Sequence, residues 1–222
     1  MPAAVLLVMM VATYVSWHRL YPSATWRYRL SVSIESSGQI YTGSGVYQVS
    51  EWRVSQFLPE VRTRETRIRG EAIFIDLETS NLVVTLTSAR KYRQSSVGLS
   101  ELSQKAFLSA NLATDFTEIP ELRNIKTEVE PNWLPVLVAF ENVQDPQSYH
   151  IVPPSGSSYF NGRVIFVEVE LTGYEITTGI RDHLPFLNTM DRDKPLSGDI
   201  LPSPTDWLSS SDFYSDMEKG LQ

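Results

Sequence analysis

Residues 26–35 read WRYRLSVSIE, and this stretch decides the fold. Its apolar residues occupy the even positions and its polar residues the odd ones: Trp26, Tyr28, Leu30, Val32 and Ile34 alternate with Arg27, Arg29, Ser31, Ser33 and Glu35. A period of two is typical of an antiparallel strand with one buried face. A turn at residues 36–39 and a second strand at residues 40–50 then predict a β-hairpin. Gly43 and Gly45 flank Ser44 in the second strand, which indicates a bulge or a close approach of another chain segment.

Further strands are predicted along the chain. Residues 70–77 and 82–88 are rich in β-branched and aromatic residues and flank a turn. Apolar runs at residues 135–141, 149–152 and 163–171 supply at least two more strands, with Glu168 and Glu170 on a solvated face of the last one. Only residues 100–111 have helical spacing, with Ser100 as the predicted cap. We therefore predict a β-rich α+β fold, an antiparallel sandwich or a partly closed barrel with one short helix.

Composition divides the chain into three parts. Residues 1–21 form a predicted membrane anchor or signal anchor, and residues 22–187 a β-rich globular domain. Residues 188–222 form a Pro/Ser-rich acidic tail, which we expect to be largely disordered. Trp207, Phe213 and Tyr214 are the large apolar residues of its last part. They are either the anchors of a partner-binding motif or part of a solvated extension.

The first 17 residues contain no charged side chain, and the first charge is Arg19. About 17 apolar residues is the lower limit for a helix that spans a bilayer, and Trp17 and Tyr21 lie where interfacial aromatics are expected. The segment has no polar stripe of the kind that a buried amphipathic helix carries. Arg19, Arg27 and Arg29 follow it, which taken alone favours a cytoplasmic domain. A removed signal sequence ahead of a soluble, ligand-binding β-barrel is the alternative, although no A-x-A-like cleavage site is evident.

Charge and cysteine content exclude several classes of function. The chain of 222 residues has no cysteine, which excludes disulfides, thiol catalysis and iron–sulfur sites. Its net charge is −7, with 11 Lys or Arg against 7 Asp or Glu in residues 19–93 and 8 against 19 in residues 94–222. This acidity argues against nucleic-acid binding. The basic half contains Arg62, Arg64, Arg67 and Arg69, which we consider candidates for contact with anionic lipids. Alternatively they form a solvated face whose arginines pair with Glu60, Glu65 and Glu71.

No catalytic or metal-binding motif is evident. The histidines are His18, His150 and His183, without the short spacing of a zinc site, and no cofactor-binding fingerprint is present. We therefore predict no catalytic residue, metal or cofactor. An envelope hydrolase that combines a serine with a histidine, for example Ser44, His150 and Asp145, is the alternative, but Ser44 lacks the spacing of a nucleophile elbow.

One loop is a candidate binding site. Thr177, Thr178 and Gly179 are small polar residues at the end of a strand, where loops often carry function. The structural alternative is a turn that docks Leu184, Phe186 and Leu187 onto the core.

Three segments resemble an uncharacterised bacterial family of N-terminally membrane-anchored, β-rich exported proteins. They are Gly70, Glu71 and Ala72 with Asp76 and Leu77, then LPVLVAFENVQDPQSY at residues 134–149 and ITTGIRDHLPFL at residues 176–187. The resemblance implies one anchoring helix in the bacterial inner membrane and a periplasmic domain, with no known activity. We therefore expect a structural or protein-interaction role in the envelope, with the membrane and an envelope protein as partners; the oligomeric state is left open.

Overall fold

The computed structural model describes residues 22–53, 64–78, 80–86, 98–122, 124–156, 162–190 and 210–215. Strands β1 (Ser23–Ser36) and β2 (Gln39–Arg53) pair antiparallel in unbroken register from Ser23 opposite Trp52 to Ser36 opposite Gln39. Ser37 and Gly38 both have positive φ, as the tight turn between two twisted strands requires. Every second residue of β1, from Ala24 to Ser36, is buried. The predicted hairpin and its alternation are confirmed.

The hairpin forms the centre of a five-stranded antiparallel sheet. The remaining strands are β3 (Arg64–Arg69), β6 (Lys126–Glu128) and β9 (Gly162–Leu171), and the order is β3-β2-β1-β9-β6. Val169 and Val167 of β9 continue the buried face of β1, whereas Glu168 and Glu170 share the opposite face. We refer to the two sides of this sheet as its inner and outer faces.

A second antiparallel sheet has four short strands. These are β4 (Ile73–Asp76), β5 (Asn81–Val84), β7 (Leu137–Phe140) and β8 (Tyr149–Val152), in the order β4-β5-β7-β8. Strands β4, β7 and β8 lie within the segments predicted as strands, and β5 begins one residue before its predicted segment, residues 82–88. The fold is thus β-rich with two antiparallel sheets, as predicted, and the strands do not close into a barrel. The predicted N-terminal helix lies outside the described residues.

The main core lies between the two sheets and helix α1 (Leu99–Ser109). It joins the inner face of β1 to Leu82 and Val84 of β5 and to Leu102 and Phe107 of α1. At Gly43 the sheets approach closely, because a Cβ atom there would lie 2.4 Å from Cγ1 of Ile75. The close approach predicted from the glycines is confirmed. The alternative prediction, a bulge in β2, is wrong, because the pairing of β1 with β2 is continuous. A shift in register is found instead in the pairing of β1 with β9, between Ser33 and Ile34.

Helix α1 begins one residue earlier than predicted. Its N-cap is Gly98, so Ser100 lies within the first turn and the predicted serine cap is wrong. Two side chains of β1 fix the helix: the indole Nε1 of Trp26 donates to Ser103 Oγ at 3.0 Å, and the hydroxyl of Tyr28 donates to the carbonyl of Leu99. The expected single helix is also too few, because the described residues include a four-residue helix, α2 (Ile180–His183), and short 3-10 helices at Phe116–Glu121, Pro131–Trp133, Pro185–Asn188 and Ser210–Asp212.

The outer side of the four-stranded sheet is covered by two later segments. Leu184 and Phe186 pack against Val138 and Phe140 of β7, and Phe213 completes this second core. The backbone of residues 212–215 pairs with residues 70–72 and with Leu86, for example through a 2.7 Å bond from Ala72 N–H to the carbonyl of Phe213. Phe213 and Tyr214 therefore extend the core beyond the boundary at residue 187 that composition predicts. The rest of the predicted tail, residues 191–209 and 216–222, lies outside the described residues.

Candidate functional site

The Thr177–Gly179 loop is joined to the free edge of β2. Strand β3 pairs with β2 only from Gln48 onward, which leaves the backbone of Val46 without a strand partner on that side. Thr177 fills this place: Val46 N–H donates to Thr177 Oγ1 at 2.8 Å, and Thr177 N–H donates to the carbonyl of Val46 at 3.1 Å. The side chain of Thr177 therefore satisfies a strand edge, and Thr178 is the exposed residue of the loop.

Gly179 sets the start of α2. Its φ of +110° lies in the region that favours glycine, and it occupies the N-cap position. The next amide, that of Ile180, donates to Glu71 Oε2 at 2.8 Å, so Glu71 anchors the loop to the four-stranded sheet. Ile180 and Leu184 are buried in the second core. Thr177 and Gly179 thus have structural contacts that account for their residue types.

The structure separates the three candidate arginines that it describes. Arg67 and Arg69 lie on the outer face of β3, because Ile68 between them packs against the main core. Arg64 lies on the inner face, where it is paired with Glu51 at 3.5 Å and Asp115 at 3.8 Å. Glu71, a predicted partner, instead accepts the Ile180 amide. Arg62 and Glu60 lie outside the described residues.

Glu51 is the most unusual charged residue that the structure describes. It lies on the inner face of β2 with 2% of its surface exposed, and its Oε2 atom has no hydrogen-bond partner among the described residues. Burial raises the pKa of Glu51, and the charge of Arg64 only partly opposes this effect, while the charges of Asp115 and Glu101 add to it.

Asp115 balances this cluster from the 3-10 helix that follows α1. Burial alone would raise the pKa of Asp115, but two hydrogen bonds from Thr117 and the charges of Arg53 and Arg64 outweigh it, so the pKa is lowered. Arg53 contacts Asp115 at 2.8 Å, and both guanidinium groups lie over the ring of Phe116. The cluster joins the start of β3 to α1 and its following turn.

A second polar cluster lines an open cleft of about 660 Å³ at one end of the four-stranded sheet. His150 Nε2 lies 2.9 Å from Glu141 Oε1, across the hairpin of β7 and β8. Ser80 lines the same cleft, and its hydroxyl is buried without a partner among the described residues. Asn81 also lines the cleft: its Oδ1 atom accepts from the amide of Phe140 at 2.9 Å, and its Nδ2 atom donates to the carbonyl of Phe140 at 2.8 Å. The cleft therefore combines an imidazole, a carboxylate and a hydroxyl.

The triad drawn from the sequence is not assembled. Ser44 is exposed on the outer face of β2, opposite Ser31, whereas His150 belongs to the other sheet. Asp145 accepts the amide of Gln147 in the turn between β7 and β8. His183 stacks on Phe74, with ring centroids 4.5 Å apart. Within the described residues, no three His, Asp or Glu side chains are placed to hold a metal ion.

Sequence reasoning missed both polar clusters, although each has a signal in the strand pattern. Tyr47, Val49 and Glu51 alternate, which directs Glu51 inward. Glu141 and His150 become diagonal neighbours once Phe140 is placed opposite Tyr149.

Comparisons of the chain with protein-family models, curated proteins and solved structures give no match. The resemblance to an anchored, exported family therefore stays a prediction. Among the described residues, no helix has the length and apolar character needed to cross a membrane, and the segment predicted as an anchor lies outside them.

Proposed function

We propose that this protein is a membrane-anchored domain of the bacterial envelope with a structural or protein-interaction role. The observation that carries the proposal is the short distance along the chain between the apolar segment and the fold. Residues 1–17 contain no charge, and β1 begins at Ser23. If residues 1–17 form the predicted single-pass helix, the five residues between Trp17 and Ser23 hold the sheet close to the bilayer surface.

The opposite end of the five-stranded sheet offers a surface for a protein partner. Ile40 is 68% exposed there, and Ile165 and Phe166 of β9 are 39% and 37% exposed. Glu35 lies opposite Ile40 in the pairing of β1 and β2, and Phe166 lies opposite Ser33 on the other side of β1. The 14 residues from Ser23 to Ser36 span about 40 Å, so the proposed anchor would direct this apolar patch away from the bilayer. Exposed apolar side chains at one end of a sheet favour burial by a partner protein.

The placement is tested by carbonate extraction of membranes, combined with protease treatment of cells whose outer membrane has been permeabilised. The full chain carries a C-terminal tag. Retention with protease sensitivity is expected for a single-pass protein with a periplasmic domain. Retention with protection would instead place the domain in the cytoplasm, and release by carbonate would remove the anchor.

The interaction role is tested separately by site-specific photo-crosslinking. A photoreactive residue at position 40 is expected to give a discrete adduct with an envelope protein, because the exposed patch lies there. The matched position is Gln144, which is exposed in the turn between β7 and β8 of the other sheet. An equal pattern of adducts from both positions would contradict a specific partner surface.

An envelope hydrolase is the second candidate, and the Glu141–His150 pair is the observation that favours it. In this case His150 is the general base, Glu141 orients it, and Ser80 in the same cleft supplies the hydroxyl nucleophile. The test is hydrolysis of a panel of activated esters by the purified chain. Ser80→Ala and His150→Ala would each abolish turnover if this candidate is right, whereas Ser44→Ala would not.

A further inference from the structure

The outer face of the five-stranded sheet has two halves that differ in how their charges are compensated. On the β1, β9 and β6 half, Arg29 pairs with Glu170, and Lys126 lies 3.1 Å from Glu168 and 3.7 Å from Glu170. Arg163 pairs with Glu35 at 2.7 Å. Arg29, Lys126 and Arg163 of this half therefore each have a carboxylate partner.

The β3, β2 and β1 half has arginines with no such partner in the part of the chain that the structure describes. Among the described residues, no carboxylate lies within ion-pair distance of Arg27, Arg67 or Arg69. Arg27 donates only to neutral acceptors, Gln48 Oε1 and the carbonyl of Tyr174, both at 3.2 Å. Glu65 shares this face of β3 but forms no ion pair with these arginines.

The strand register brings the three arginines together. Arg69 lies opposite Gln48, and Gln48 opposite Arg27, so this row crosses three strands. Arg67 lies in the neighbouring row on the same face, opposite Ser50. Arg67 and Arg69 are two residues apart on β3, at about 7 Å, and Arg27 lies about 10 Å from Arg69 across β2. We call this surface, formed by Arg27, Arg67 and Arg69, the arginine face.

Two aromatic residues flank the arginine face. Trp52 is half-buried on the same side of β2, opposite Ser23. Tyr174 is 62% exposed, and its ring lies under the guanidinium of Arg29 at 5.4 Å. Tryptophan and tyrosine beside arginine are the residues that settle at the level of lipid headgroups. The face therefore combines positive charge with interfacial aromatic side chains.

The arginine face also lies at the end of the sheet where the chain leaves for the apolar segment. Arg27 is four residues from Ser23, a distance of about 13 Å along an extended strand. The ion pairs of the β1, β9 and β6 half lie further from Ser23 along the sheet. The uncompensated charge is thus concentrated at the end that a membrane anchor would hold nearest to the bilayer.

We propose that the arginine face rests on the anionic phospholipid headgroups of the membrane that holds residues 1–17. This inference depends on the proposed membrane anchor for the position of the domain, but the lipid contact has its own test. Uncompensated guanidinium groups match phosphate in charge and in hydrogen-bonding geometry. Each basic residue near an anionic surface strengthens attachment about five-fold, so removal of three is expected to weaken it about 100-fold.

The absence of cysteine permits a clean test with one introduced label. In the full chain, Ser50→Cys places an environment-sensitive fluorophore in the arginine face, and Ser31→Cys places it opposite Glu168 in the compensated half. Each labelled chain is reconstituted in phosphatidylcholine vesicles with or without phosphatidylglycerol. Quenching by headgroup spin-labelled lipid reports contact with the bilayer, and flotation after a carbonate wash reports anchoring.

The expected result is stronger quenching at position 50 than at position 31, only in vesicles with phosphatidylglycerol, and its loss at high salt. Arg27→Gln, Arg67→Gln and Arg69→Gln together should abolish the difference, whereas three lysines at the same positions should keep it. Anchored chain with equal quenching at both positions overturns the lipid contact alone. The anchor alone is overturned if the chain no longer floats with phosphatidylcholine vesicles but its label is still quenched on vesicles that contain phosphatidylglycerol. If the glutamine variant does not fold, the salt dependence of the arginine protein decides the question.

Discussion

The two sheets bury their residues in different ways. The five-stranded sheet has long strands with one buried face, so β1 alternates between buried apolar and accessible polar side chains. The four-stranded sheet has short strands with both faces covered, and all four residues of β7 are buried. The difference shows that a strict period of two indicates one solvent face, while a short continuous apolar run indicates a covered sheet.

The largest expected effect follows from the segment that covers the second face. Phe213 is completely buried, and its ring lies 6.3 Å from that of Phe140. Phe213→Ala should lower the free energy of unfolding by about 3–5 kcal/mol, because it removes a buried ring and leaves a cavity. Urea unfolding of the full chain measures the loss, with Phe213→Leu as the milder control. An unchanged midpoint for the alanine variant would mean that the C-terminal segment does not support the four-stranded sheet.

This cover could not be predicted from the sequence, whereas the hairpin could. The pattern at residues 26–35 predicts which side chains face the core, because inward and outward residues alternate within one strand. The pairing of Ala72 with Phe213 joins residues far apart in the chain, across a stretch rich in proline and serine. Nothing local in Phe213 or Tyr214 distinguishes a core residue from an exposed motif.

The candidate site shows the same limit. The spacing of Arg67 and Arg69 correctly implies that they share a face of one strand. The alternation of buried residues in β2 likewise indicates that Glu51 faces the core. That no described carboxylate pairs with Arg27, in contrast, depends on which strands become its neighbours. Long-range pairing decides charge compensation, and one sequence does not reveal that pairing.

The contact between the two sheets can be tested at Gly43. Gly43→Val should cost about 1–3 kcal/mol of stability, because its Cβ would meet Ile75 and Ile73 of β4 at less than 3 Å. The matched control is Gly173→Val, at a glycine with no atom within 4 Å of the added Cβ. Thermal or urea unfolding compares the two. Equal losses at the two positions would show that the sheets are not in tight contact at β2.

A smaller, pH-dependent effect is expected at Glu51, on the inner face of the five-stranded sheet. Because its pKa is raised in the folded state, the folded protein binds the proton more tightly than the unfolded chain does. This contribution is fully present below the usual pKa of about 4.5 and is lost as the pH rises towards the folded value. The lowered pKa of Asp115 acts in the opposite direction, with stability lost as the pH falls.

Glu51→Gln should therefore flatten the decrease in unfolding free energy above pH 4.5, as measured by urea unfolding across a pH series. Gln104, Arg64 and Asp115 face the same group and remain in the variant. Glu65→Gln, on the exposed outer face of β3, is the matched control and should keep the wild-type slope. A slope that is identical in all three proteins would contradict a buried, destabilised carboxylate.

The smallest expected loss of stability is at an ion pair on the solvent-exposed face of the five-stranded sheet. We compare it with truncation of a buried side chain in the four-stranded sheet. Arg163 and Glu35 form an ion pair whose side chains are 66% and 39% exposed, so solvent screens their attraction. Arg163→Gln should cost no more than about 1 kcal/mol, and a double-mutant cycle with Glu35→Gln should give a coupling that vanishes at high salt. Val138→Ala, on a fully buried position of β7, removes the same net number of non-hydrogen atoms but should cost more, because the atoms it removes are packed on all sides. If the exposed pair proved more costly to lose than the buried methyl groups, the outer face of the five-stranded sheet would be held by its charges rather than by the core beneath it.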